Sequence, residues 1–216
     1  MDRAARKQIN DRYHTKFRMG AGLGMELFEA IRGRRSVGLV KDEPVDKERI
    51  QQMLEAANWA PCHHLTEPWR FYVMTGEGRN VLAKAYADIA VEQAMAAGTL
   101  TNEQEFRAKQ GAKAFRSPVV IAVAVSPSDK PQAVRIEELA AVHAAVQNML
   151  LAAHALGLGA VWRTGEPAYH PTMRGAFGLQ EGEELVGFVY VGVPQLPLPV
   201  KSRSPVQQKT VWIESN

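Results

Sequence analysis

The chain has 216 residues, 46% of them hydrophobic and 23% charged, with a formal net charge of +3. That balance belongs to an ordinary soluble globular protein with enough material for one filled core, and the interspersed charges carry no nucleic-acid signature. The single cysteine, Cys62, excludes an intrachain disulfide framework and fits a reducing compartment; no apolar run reaches the roughly 18 residues of a membrane span and no apolar signal core opens the chain, so the expected location is cytoplasmic.

Residues 1–24 carry Arg3, Arg6, Lys7, Arg12, Lys16 and Arg18 and end in Gly20-Ala21-Gly22-Leu23-Gly24, which reads as a basic N-terminal arm and a flexible joint. Asp2, Asp11 and the lack of any serine before Ser36 speak against a transit peptide. The glycines are a poor dinucleotide fingerprint, because no strand precedes them and Met25 stands where the third glycine is needed.

From Met25 the apolar positions Leu27, Phe28 and Ile31 predict a helix that ends at Gly33. Arg34-Arg35-Ser36 follows at once. Arginine presents paired planar donors to phosphate oxygens and serine adds a small hydroxyl, so the triplet suits a bound anion; two cations at a helix C-terminus also complement the helix dipole. Asp46 is placed to cap a helix bearing Ile50, Met53, Leu54 and Ala57, which must stop before Pro61. Trp69 to Met74 reads as a strand, and Gly76-Glu77-Gly78 turns it into a helix through Val81, Leu82 and Ala85.

A further helix is expected over Gln104 to Phe115, then a buried strand over Val119 to Val125. The longest helix, about Ile136 to Leu156, is apolar around most of its circumference and so should be central. Gly157 and Gly159 end it, Ala160-Val161-Trp162 forms a short strand, and Arg163-Thr164-Gly165 a loop. His170 to Phe177 forms a small helix and Leu185 to Gly192 a buried strand; from Pro194 the chain is extended and proline-rich. Strands alternating with helices around one dominant apolar helix predict an α+β (mixed α/β) fold, a central mixed sheet flanked by helices. The domain plan is an arm over 1–24, one domain over 25–193 and a tail over 194–216.

Four segments carry a family likeness: Arg34-Arg35-Ser36; Ala60-Pro61 leading to Pro68-Trp69-Arg70-Phe71; Leu156 through Gly165; and Val186-Gly187-Phe188-Val189-Tyr190-Val191-Gly192. In this order and spacing the chain from Met25 onward resembles the FMN-dependent nitroreductase family, in particular its compact NAD(P)H nitroreductase branch. The resemblance implies that Arg34, Arg35 and Ser36 bind the FMN phosphate and ribityl chain, and that Lys201 and Arg203 complete the phosphate site. It implies that Trp162, Arg163, Thr164 and Gly165 lie beside the flavin ring with a backbone N–H facing N5, and that His63 touches the cofactor. Gly157 falls in the stretch attributed to nicotinamide binding. The implied protein is a homodimer with flavin at its interface and the tail packed on the partner, moving hydride from NAD(P)H to nitroaromatic, quinone or similar electron-poor acceptors in two half-reactions.

The chain departs from the family pattern at Leu65 and Glu67, where Asn and Gln are usual, and at Gly38, where a basic residue is usual. The last departure leaves Arg163 as the candidate cation near flavin N1 and O2. A flavin enzyme needs little acid–base machinery of its own, which agrees with the absence of a nucleophile elbow or zinc-ligand spacing. Cys62-His63-His64 does not place its side chains for one ion, so no metal is expected. His143 and His154, eleven positions apart on one helix, cannot share a ligand and read as core or interface residues. The stretch Ala90 to Phe115 reads as a lid. A flavin-fragmenting or dehalogenating relative and a non-catalytic flavin-binding protein are the competing readings.

Overall fold

The computed structural model describes residues 25–198 and 202–214. Four strands, β1 (Trp69–Thr75), β2 (Val119–Val125), β3 (Gly159–Arg163) and β4 (Glu184–Gly192), form one sheet in the order β1-β2-β4-β3, every neighbouring pair antiparallel. Among the described residues the parallel pairing is one bridge, from Ser36 to Ala160 of β3. All of β2 and all but the first residue of β4 are buried, because helices cover both faces; this is why they read as continuous apolar runs rather than alternating ones.

Alternation still sorts the side chains by face. Val119, Ile121, Val123 and Val125 pack with α5 (Arg135–Ala155), whose Val142, Ala145, Val146, Met149 and Ala153 are fully buried; α2 (Lys47–Asn58) lies against α5 through Met53 and Ala57. Val120, Ala122 and Ala124 face the second cluster, with Leu82, Ala85 and Ile89 of α3 (Asn80–Ala96) and Met173 of α7 (Pro171–Ala176). Strand β4 changes parity partway. Leu185 shares a face with Phe188 and Tyr190, while Val186 shares the other with Val189 and Val191, because a bulge opposite Val123 and Ala124 inserts one residue.

The remaining helices are α1 (Leu27–Gly33), α4 (Glu103–Gly111) and α6 (Glu166–Tyr169). Asp46 caps α2 as expected, its carboxylate accepting from the Glu48 N–H at 3.2 Å, and Asn102 caps α4 in the same way from Glu105. The expected helix over 104–115 ends at Gly111 and continues as a tighter 3₁₀ turn over Ala112–Phe115. No helix of the described residues is long and apolar enough to cross a membrane. The N-terminal arm and Lys201 lie outside the described residues.

Candidate functional site

The arginine-bearing segment is seated by backbone contact. A Cβ on Gly33 would lie 2.7 Å from His154 Nε2 on α5, one on Gly159 would lie 2.7 Å from a Val37 methyl, and one on Gly192 would lie 2.7 Å from a Val40 methyl. Residues 33–40 therefore lie flush on the C-terminal end of α5 and on β3 and β4. The Val37 N–H donates to the Ala160 carbonyl at 3.0 Å and the Lys41 N–H to Val193 at 2.8 Å, which extends the attachment along the sheet edge.

Arg34, Arg35 and Ser36 stand on this seat. Arg35 Nη1 donates to the carbonyls of Arg32 (2.6 Å) and Arg34 (2.7 Å), folding its head back over the end of α1. Burial, and after it the charges of Arg203 and Arg35, lower the Arg34 pKa, so the tail brings a third cation to the pair. His154 is lowered as well, first by burial and then by Arg34 and Arg35, with Glu29 opposing. Like charges gathered at one place repel unless an anion joins them, and a cluster of guanidinium groups is suited to bidentate phosphate recognition.

A second group forms at the end of β3. The bulge in β4 places Gly187 at φ +136°, and a Cβ there would lie 2.6 Å from both the Arg163 carbonyl oxygen and Trp162 Nε1. Freed of that side chain, the Trp162 indole donates to the Val186 carbonyl at 3.2 Å. Arg163 lays its guanidinium over the Tyr190 ring, 5.3 Å from the centroid, and its Nη2 reaches to 3.4 Å from where a Gly38 Cβ would be. Its Nε is buried without a hydrogen-bond partner, so Nη2 is the atom that faces Gly38. The Tyr190 hydroxyl lies 3.3 Å from that of Tyr86, and burial raises the pKa of both phenols. Thr164 touches the same Gly187 position, and Gly165, at φ +120°, turns the chain into α6.

Arg163 thus joins the first group through Gly38, whereas His63 does not join either. His63 Nδ1 is 2.7 Å from Glu137 Oε2, in the first turn of α5, while His154 at the other end of α5 meets Gly33. Seventeen residues at 1.5 Å each separate these ends by about 25 Å within one chain. Gly157, at φ +73°, ends α5 with open space where its Cβ would be. His154, read as a core or interface residue, and Gly187 and Tyr190, quoted only within the fourth family segment, are parts of the arrangement to which pattern reading gave no site role. Only Gly187 carried a signal, a glycine inside a strand, which often marks a bulge.

The sequence profile described as the Nitroreductase family matches residues 31–193. The chain is 33% identical over 172 residues to the Escherichia coli K12 protein named "Putative NAD(P)H nitroreductase YdjA", covering 80% of this chain and 90% of that one. It is 34% identical over 186 residues to "Putative NAD(P)H nitroreductase YfhC" of Bacillus subtilis, covering 85% and 92%. Among solved structures, a nitroreductase-like family protein from Bacillus cereus superposes with a TM-score of 0.74 at 31% identity, covering 91% of this chain and all of that one. A "putative nitroreductase in complex with fmn" from Desulfovibrio desulfuricans gives a TM-score of 0.65 at 28% identity, covering 89% and 99%. With matches along nearly the whole domain in sequence and in fold, the chain belongs to the nitroreductase family.

Proposed function

We propose that the protein is an FMN-dependent NAD(P)H oxidoreductase acting on electron-poor acceptors such as nitroaromatics and quinones. The observation that carries this reading is the gathering of Arg34, Arg35 and Arg203 at one end of α5, with the Nη2 of Arg163 reaching toward Gly38 of the same strap. A phosphate-bearing flavin fits that donor set: a doubly charged end for the arginines and a ring whose electron-rich edge needs one more cation. The relatives named as NAD(P)H nitroreductases and the FMN-bound neighbour support the same assignment.

FMN, when bound, supplies a carrier that takes two electrons from a reduced nicotinamide and passes them to a second substrate. The chain's own work is positioning and charge. Arg34, Arg35, Ser36, Arg203 and, by its place in the sequence, Lys201 hold the phosphate and ribityl end. Trp162 to Gly165 lie along the ring edge, and Arg163 is the preorganised partner for negative charge there, at no cost of reorganisation during turnover because Tyr190 already holds its plane. Gly157 lies where the nicotinamide donor is expected.

The active unit in this reading is a homodimer. His63 and the arginines lie at opposite ends of α5, so a site that uses both draws them from two copies, and a two-fold axis then makes two equivalent sites. Support comes from exposed apolar groups with no core of their own: Phe28 on α1, and Val211, Trp212 and Ile213 in the tail, each at least 69% exposed. The tail is the segment expected to cross the partner.

Spectroscopy of the purified protein tests the reading. The expected result is a yellow protein with non-covalent FMN, which NADH or NADPH bleaches anaerobically and a nitroaromatic or quinone restores. Arg34→Ala should weaken FMN retention by one to two decades, since a charged hydrogen bond is worth about 1.5–3 kcal/mol. A colourless protein that ignores added FMN overturns it, and a flavoprotein that no nicotinamide reduces leaves only the binding role.

A further inference from the structure

On the face of the sheet away from α5, a cleft of about 320 Å³ opens between α3, α4 and the start of α6. Its size is at the lower end of the range for small-molecule pockets. Ile89 and Ala90 from α3, Phe106 from α4 and Pro167 from α6 give it apolar walls, and Tyr86 adds an aromatic face. Most of its polar groups are already engaged. The Tyr86 hydroxyl meets Tyr190, Gln93 donates to Glu166 at 3.0 Å, and the Thr99 hydroxyl donates to the Ala94 carbonyl.

Lys113 is different. It is the cation lining the cleft, and among the described residues no carboxylate pairs with it. Three acidic groups of the same helices face other cations: Asp88 holds both Lys84 and Arg107, each at 2.6 Å, Glu103 holds Arg107 at 2.7 Å, and Glu92 lies 3.8 Å from His170. Burial, then the charge of Arg116, lowers the Lys113 pKa, so the ammonium sits in a place that already disfavours its charge. An ammonium on the wall of an apolar cleft, beside another cation and without a counter-ion, is complementary to one kind of guest: a flat apolar body carrying one negative charge.

We infer that this cleft binds a small aromatic monocarboxylate, its ring against Phe106 and Pro167 and its carboxylate on Lys113 Nζ. The inference does not use the flavin reading, although the cleft borders that site through Pro167, two residues beyond Gly165, and through the Tyr86 hydroxyl, 3.3 Å from that of Tyr190; it stands or falls by direct binding.

Titration calorimetry of the full chain, with whatever flavin it carries, tests it with benzoate as the probe and benzyl alcohol as its neutral counterpart. Benzoate should bind saturably at one per chain, and benzyl alcohol at least tenfold more weakly. Lys113→Met should weaken benzoate at least tenfold and remove the preference over the alcohol, while Lys84→Met, outside the cleft, should leave both unchanged. Ala90→Trp fills the space and should abolish binding, an independent check should Lys113→Met fail to fold. Absence of saturable benzoate binding, equal affinity for benzoate in the wild type and Lys113→Met, or loss of binding in Arg34→Ala but not in Lys113→Met would each overturn the assignment, the last by placing the carboxylate on the arginine cluster.

Discussion

Replacing Gly187 with alanine puts the bulge of β4 under direct test. The residue sits at φ +136°, where an L side chain is strained by about 1–3 kcal/mol, so alanine begins with that penalty. Its Cβ would also lie 2.6 Å from the Arg163 carbonyl and 2.6 Å from Trp162 Nε1, inside the 3.0 Å that real Cβ contacts keep. Backbone cannot swing aside as a side chain can, so the indole must move and its hydrogen bond to Val186 is lost, a further ~1 kcal/mol. The sum is about 2–4 kcal/mol, a large fraction of the total stability of a typical domain. Urea unfolding followed by tryptophan fluorescence, at fixed protein concentration, reads it: a slope of a few kcal/mol per molar makes the midpoint fall by about 1 M. An alanine variant whose midpoint matches the wild type would refute the reasoning, since neither the strain nor the overlap could then be real. Val186→Ala is the control, because it shortens a buried side chain without changing the conformation the bulge requires.

Three other outcomes follow from the site. Arg163→Gln should keep flavin bound yet lower its reduction potential and slow reduction by NAD(P)H, because the reduced form alone loses a partner; redox titration and stopped-flow absorbance read both, and unchanged values would move the search for the cation to Lys41 or Arg70. Light scattering at micromolar concentration should give a dimer, and a monomer with full flavin occupancy would refute the two-copy site. His154 is held below its unfolded pKa of about 6.5, so the unfolded chain binds the proton more readily. Its contribution is present above that value and is lost as pH falls toward its folded pKa. The urea midpoint should therefore drop on acidification from neutral pH, and by less in His154→Gln; an identical pH profile in the variant would exclude His154 as the source.

The parts of the fold that local pattern could carry were legible. Buried β-branched runs announced β2 and β4, the alanine-rich stretch announced α5, and the Asp46 cap and Pro61 bracketed α2 to within a few residues. Arg34 and Arg35 were legible as a cation pair at the end of α1 because their chemistry is local; that Arg203 comes to meet them was not. What pattern could not carry was conformation enforced from elsewhere. His64, Leu65 and Glu67 adopt φ values of +59°, +49° and +48° with no glycine or asparagine to signal it; the turn is held instead by Cys62 Sγ, which accepts from the Glu67 N–H at 3.0 Å, and by Lys130, whose ammonium donates to the His64 carbonyl. His154 looked like a packing residue and is one, yet what it packs on is Gly33, at the foot of the arginines. The distance of His63 from the arginines depends on the length of α5, which no motif contains.

The three glycine seats under residues 33–40 separate two properties that usually change together. The side chains of Arg34 and Arg203 take no part in those seats, so their charge and reach can be altered while the strap keeps its place; Arg35, which donates to the Arg32 and Arg34 carbonyls, is tied to the segment itself. A methyl group at Gly159 or Gly192 would instead meet a valine at 2.7 Å and lift the strap by a few tenths of an ångström. Such a shift is small for a core but large for recognition, where donors must hold position to within about 0.5 Å. Exchanging Arg34 or Arg203 should therefore change which anion is held and how tightly, one donor at a time, whereas a side chain at Gly159 or Gly192 should displace all the donors together while the chain still folds.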